Sequence, residues 1–150
     1  MTKTIKLLKE ISIKAENQFE EYLSSFGFIK ELSKIENSIA TILFRKEDQY
    51  IKLEINNHPK DYPGYFNVIF GIGQDVYPDI DFNSIAIWRF QRFIEKNNEA
   101  TEYELVSGLD SIQSLVKNAF LDMQKYGKDF INSDLSMFNK IKNLPASTNF

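Results

Sequence analysis

The chain has 150 residues, 43% of them hydrophobic and 26% charged, with a net charge of −3. That is the size and composition of one globular domain that buries a full core without covalent staples. Cysteine is absent, which excludes disulfides, thiolate metal sites and cysteine nucleophiles, and no basic stripe suited to DNA or RNA is present.

The segment from Thr4 to Phe26 reads as an amphipathic helix. Ile5, Leu8, Ser12, Ala15, Phe19, Tyr22 and Phe26 recur at helical spacing, and Gly27 stands where a C-terminal glycine cap belongs. The period then changes. "FIKELSKIE" (28–36), "SIATILFRK" (38–46), "QYIKLEIN" (49–56) and "GYFNVIFGI" (64–72) read as strands. In the third, Ile51, Leu53 and Ile55 face one way and Lys52, Glu54 and Asn56 the other. Phe66, Val68, Phe70 and Ile72 alternate against Tyr65, Asn67 and Ile69 in the fourth. The short polar connections "EN" and "KEDQ" fit hairpins, so the four strands form an antiparallel meander.

"NSIAIWRFQRFIEKN" (83–97) reads as a helix capped by Asn83, although "SIAIW" also suits an extended start. "TEYELVS" (101–107) fits a loop or a short strand. A strong helical stripe of Ile112, Leu115, Val116, Ala119, Met123 and Tyr126 spans about 109–126, and Gly127 ends or kinks it. A last short helix starts near Ser133 as its cap, with Leu135, Phe138 and Ile141 pointing inward. The tail "NLPASTNF" (143–150) reads as loose. Strands and helices are segregated along the chain. The expected fold class is therefore α+β: an N-terminal helix, a four-stranded antiparallel meander and two to three C-terminal helices on one sheet face.

"GIGQDVYPDIDFNS" (71–84) invites several chemistries. As a dinucleotide loop it lacks the third glycine, since position 76 is Val76, and it has no Gly-Lys-Ser/Thr ending. As an EF-hand it places Asp79, Asp81 and Asn83 at loop positions 1, 3 and 5. It then has Ser84 where the glycine belongs and Phe90 where the bidentate glutamate belongs. A looser cation site that includes Asp75 is the residual version of that idea. The simpler reading is a strand exit, a proline turn at Pro78 and a helix cap. His58, the only histidine, lies beside Pro59 in a connection, where an exposed structural role is the ordinary one. No Gly-x-Ser-x-Gly elbow or histidine cluster marks a catalytic or metal site, and no cofactor is implied. Glu54 belongs on the solvent side of its strand or, less simply, faces a pocket. Trp88, on a helix with Phe90 and Phe93, reads as core in preference to an interface anchor.

Charge is distributed unevenly. Between Asp75 and Asp110 there are eight acidic and three basic residues, which makes that stretch −5 and the rest of the chain +2. Solvated helix faces and loops account for this, and so does a docking surface for a basic partner. Tyr62 and Tyr65 in the 57–66 connection, with Tyr77 after the fourth strand, join Asp75, Asp79 and Asp81 as a candidate protein-binding surface, because tyrosine supplies contact area and the rim supplies steering charge.

Three stretches, "FEEYLSSFGF", "LFRKEDQYIKLEIN" and "MQKYGKDFIN", together resemble small uncharacterised bacterial α+β domains, some of which are immunity proteins found beside polymorphic toxins. The resemblance is one of pattern. It implies a protein that binds and neutralises a toxin, and it transfers no functional residue. Two other functions are compatible with the residues. One is a small-molecule binder or carboxylate-based enzyme with a pocket between sheet and helices, and the other is a homodimer formed through an exposed sheet face or free edge strand. No apolar run reaches the ~18–20 residues of a membrane span. Lys9, Glu10 and Lys14 interrupt any secretory h-region near the start. A cytoplasmic location is expected.

Overall fold

Helix α1 runs from Lys3 to Ser24 and buries Leu8, Ile11, Ala15, Phe19 and Leu23. It ends as the sequence predicts. Gly27 adopts φ 92°, Phe28 N donates to Leu23 O at 3.1 Å and Gly27 N to Ser24 O at 3.1 Å, which is the Schellman pattern of a glycine-terminated helix. In this computed structural model residues 3–57, 64–74, 83–98, 103–105, 109–145 and 148–150 are described.

Four strands follow as an antiparallel meander: β1 (Ile29–Glu36), β2 (Ile39–Lys46), β3 (Gln49–Asn56) and β4 (Gly64–Ile72). The β1–β2 turn places Asn37 at φ 53° and Ser38 at φ 64°. Two successive positive φ values are what a two-residue type I′ hairpin requires. Beyond β4 the sheet gains two short strands. β5 (Ser84–Ala86) pairs with the Ile69–Gly71 end of β4, and β6 (Glu104–Leu105) pairs with Gly64 and Tyr65. Helix α2 spans Ile87–Glu95, α3 Leu109–Tyr126, α4 Lys128–Ile131 and α5 Ser136–Lys142.

The α+β class, the meander and the helices on one sheet face are as expected from sequence. Ala40, Ile42, Phe44, Ile51, Leu53, Ile55, Phe66, Val68 and Phe70 make the covered face. Between the layers the rings of Phe70 and Phe90 lie 4.9 Å apart, Phe70 and Phe130 5.2 Å, and Phe130 and Phe138 5.4 Å.

Three local readings are corrected. Asn83 does not cap α2. Its carbonyl accepts from Ile72 N at 3.0 Å and its Oδ1 from Lys142 Nζ at 2.8 Å, because Ser84–Ala86 pair with β4 before the helix begins. The cap position of α2 is Ala86, with no side-chain bond. Ser133 does not cap α5 either. Its Oγ donates to Gln49 Oε1 at 2.9 Å, while Asp134 Oδ1 accepts from Ser136 N at 3.1 Å. Trp88 lies outside the core and is stacked by Arg92, whose Cζ is 4.6 Å from the ring centroid. The end of the chain makes contacts of its own: Phe150 N donates to Asn98 Oδ1 at 2.9 Å, and its ring lies edge-on to Phe93 at 6.2 Å.

Candidate functional site

Strand alternation sends a second set of side chains to the sheet face away from the helices. Cross-strand register arranges them in rows. One row reads Leu32, Leu43, Lys52, Ile69, Ala86; the next toward the β4 exit reads Ile29, Arg45, Tyr50, Gly71, Ser84. On the other side lie Lys34, Thr41, Glu54 and Asn67, then Glu36, Ile39, Asn56 and Tyr65.

The centre of this face is not the wet surface that alternation alone suggests. Lys52 is only 3% exposed, with Leu43 and Ile69 as its cross-strand neighbours. A buried ammonium is costly unless it is paired, and Glu54 Oε2 stands 3.9 Å from Lys52 Nζ. Glu54 in turn accepts a hydrogen bond from Tyr65 Oη at 3.1 Å. Tyr65, the one residue of the candidate surface that is described, thus sits at the rim of a Lys52–Glu54 pair and remains 38% exposed. Tyr62, Asp75, Tyr77, Asp79 and Asp81, and with them the cation reading and His58, lie outside the described residues.

At the β4 exit Arg45 organises a second polar group. Its Nε donates to Glu31 of β1 at 2.7 Å, its Nη1 to Gly73 O at 2.7 Å and its Nη2 to Gln74 O at 3.2 Å, and its guanidinium lies over the Tyr50 ring at 5.7 Å. Gly73 adopts φ 129°, and its N–H reaches Asp48 O at 2.7 Å. Gly71 is the cross-strand partner of Tyr50, and a Cβ there would run into the tyrosine ring. The glycines of "GIG" therefore serve a strand exit, as the simpler reading held: one makes room for a ring and the other turns the chain. Arg45 then ties the point from which the acidic stretch departs to the edge strand.

That edge is β1. All eight of its residues are exposed, including Ile29 at 74%, Leu32 at 39% and Ile35 at 38%, and in the sheet order it neighbours β2 alone. Its blunting features are a register shift between Lys30 and Leu32 and two lysines. Lys30 Nζ bonds Glu16 of α1 and lies 3.5 Å from Glu20; the hydrogen bond to Glu16 raises its pKa first, opposed by desolvation.

Away from this face, a groove of about 420 Å³ opens at the surface between α1 and α3, lined by Lys14, Asn17, Gln18, Glu21, Gln113 and Val116. It does not lie between sheet and helices. Behind α3, burial and then the bond to Asp122 push the Tyr103 hydroxyl far above its usual range. The Tyr126 hydroxyl and Lys125 hold the Glu95 carboxyl low. Both contacts tie elements together: Tyr103 precedes β6, and Glu95 ends α2. Among the described residues no three of His, Cys, Asp and Glu converge as metal ligands, and no helix is long and apolar enough to cross a membrane.

The sequence reading missed Arg45, the burial of Lys52 and the exposure of β1. Only the last had a usable signal: "IKELSKIE" interleaves charge on both sides of its alternation, as an edge strand does. Fold and site define the chain as a helix-backed antiparallel α+β domain whose second sheet face is polar and buried at its centre and whose edge strand β1 is exposed. Compared with known proteins, it matches no family model, no curated protein and no solved structure.

Proposed function

We propose that the chain is a non-enzymatic protein-binding module, of the immunity type that its sequence pattern resembles, which meets its partner along β1 and the polar rim of the sheet face away from the helices. The observation that carries this reading is β1: an eight-residue strand exposed throughout presents Ile29, Leu32 and Ile35 along one sheet edge, Ile29 being the most exposed of the large apolar residues described. Strand addition at such an edge gives main-chain hydrogen bonds, and flanking side chains give specificity. Tyr65 and the Lys52–Glu54 pair supply a polar rim with an aromatic anchor. The acidic residues Asp75, Asp79 and Asp81 supply steering charge for a basic partner. They follow Gln74, which Arg45 ties to Glu31 of β1.

The test is a tagged pull-down from lysate of the native organism, followed by binding kinetics with the protein it captures. The Ile29→Asp/Leu32→Asp variant is expected to weaken binding by at least ~2 kcal/mol, about thirtyfold, mainly through faster dissociation, while its melting temperature stays within a few degrees because both side chains are exposed. Unchanged dissociation would remove β1 from the interface. The variant carrying Asp75→Lys, Asp79→Lys and Asp81→Lys is expected instead to slow association about tenfold or more and to flatten its salt dependence. Association that keeps its rate and salt slope after triple reversal would refute the acidic steering role.

A further inference from the structure

A small cavity lies where α2 meets the end of α5 and the last residues of the chain. Its volume is about 20 Å³, room for one water-sized occupant. Arg89 and Arg92 both line it, together with Trp88, Phe93, Leu144 and Phe150, and no Asp or Glu side chain is among its described lining residues. Arg89 directs its guanidinium at backbone oxygens, donating to Ile141 O at 2.9 Å and Leu144 O at 3.0 Å, and burial lowers its pKa. Arg92 Cζ lies over the Trp88 ring, 4.6 Å from its centroid, and its Nε–H is buried with no hydrogen-bond acceptor among the described residues. Lys96 adds a third positive charge at the rim, its Nζ 4.1 Å from the Phe93 centroid and 5.6 Å from that of Phe150.

A guanidinium does not shed its proton to escape such a site, and a buried donor left without an acceptor is destabilising. The backbone carbonyls at the end of α5 offset part of Arg89's charge through the helix dipole. We propose that this cavity is a binding site for a small inorganic anion of halide size. The anion accepts the Arg92 Nε–H, offsets the charge shared by Arg89, Arg92 and Lys96, and fastens the chain's last residues to α2. A water molecule would satisfy the donor but bring no negative charge to the three cations.

Trp88 is the only tryptophan and lines the cavity, so its fluorescence reports the occupant. Sodium chloride replaces sodium gluconate at constant ionic strength, and Trp88 emission and the melting temperature are followed. Both are expected to change with chloride and to saturate. Arg92→Met is expected to weaken the response at least tenfold. Arg92→Lys, which keeps the charge but loses the Nε–H, is expected to weaken it by a smaller factor and gives the answer if the methionine variant fails to fold. Lys117→Met, which removes an exposed charge on α3, is expected to leave the response as in the parent chain. No response, a response that rises linearly without saturating, or one equally strong in Arg92→Lys and in the parent would mean that the occupant is water, and the anion site would be wrong.

Discussion

Phe70→Ala is expected to destabilise the fold by about 3–5 kcal/mol. The ring is fully buried and is the meeting point of three elements. Phe90 of α2 lies 4.9 Å away and Phe130 of α4 5.2 Å away, edge-on. A Cβ on Gly127, at the break between α3 and α4, would stand 2.6 Å from Phe70 Cζ and 2.7 Å from Met123 O. The chain has thus left out a side chain at Gly127 to admit the ring. Truncating Phe70 leaves a cavity walled by other aromatic rings and by helix ends, which relax into it poorly, so the cavity adds to the lost transfer free energy. Ile69, the preceding residue, points to the other face and is half-buried; Ile69→Ala is expected to cost half as much or less. The check is urea unfolding of both variants, read as a change of midpoint at constant m-value. A cost below about 1.5 kcal/mol for Phe70→Ala would mean that the three elements do not depend on this ring.

How much of this was legible in the sequence depends on how local the cause was. β3 and β4 read with their observed boundaries because a period of two with one buried face leaves little choice of register. Gly27 read as a helix terminator because a positive φ there is a local need. Asn83 and Ser133 misled for the complementary reason. Each has the right side chain for a cap, but a partner distant in sequence claimed it: Ile72 N and Lys142 for Asn83, Gln49 for Ser133. Tertiary pairing outweighs a cap worth about 1 kcal/mol. The site was harder to read. Alternation gives the side to which Lys52 and Glu54 point, not what surrounds them. Arg45 is informative only when Glu31, Gly73 and Gln74 are brought to it, and nothing in the linear order joins those residues.

The sheet face away from the helices gains a rationale from that contrast. A sheet face left entirely to water needs no buried lysine, and one meant only for core needs no ion pair. Lys52 with Glu54 and Arg45 with Glu31 are both cross-linked to aromatic hydroxyls or rings, Tyr65 in the first case and Tyr50 in the second. Charged hydrogen-bonded groups of this kind resist rearrangement more than apolar ones. They hold Glu31 in place on the edge strand β1 and Tyr65 on β4.

Gly71→Ala tests the packing beneath that face, and its expected cost is about 1–3 kcal/mol. Alanine is ordinarily no worse than glycine in a strand, so any sizeable loss must come from the Tyr50 ring, which occupies the space a Cβ would take. Tyr50 is fully buried and cannot simply swing out, since Arg45 lies over it. Tyr50→Ala alone is expected to cost about 3–5 kcal/mol as an aromatic truncation. In that background the clash is gone, and Gly71→Ala is expected to be neutral or to stabilise by about 0.5 kcal/mol, a coupling of roughly 1–3 kcal/mol between the two positions. Tyr50→Phe separates ring from hydroxyl. The Tyr50 Oη is buried with no hydrogen-bond partner among the described residues, so its removal is expected to be neutral or mildly stabilising. Urea midpoints of the four members of the cycle decide the matter. If the two alanine changes add without coupling, the Tyr50 ring does not lie across Gly71 in solution, and the first glycine of the strand exit has no packing reason to be glycine.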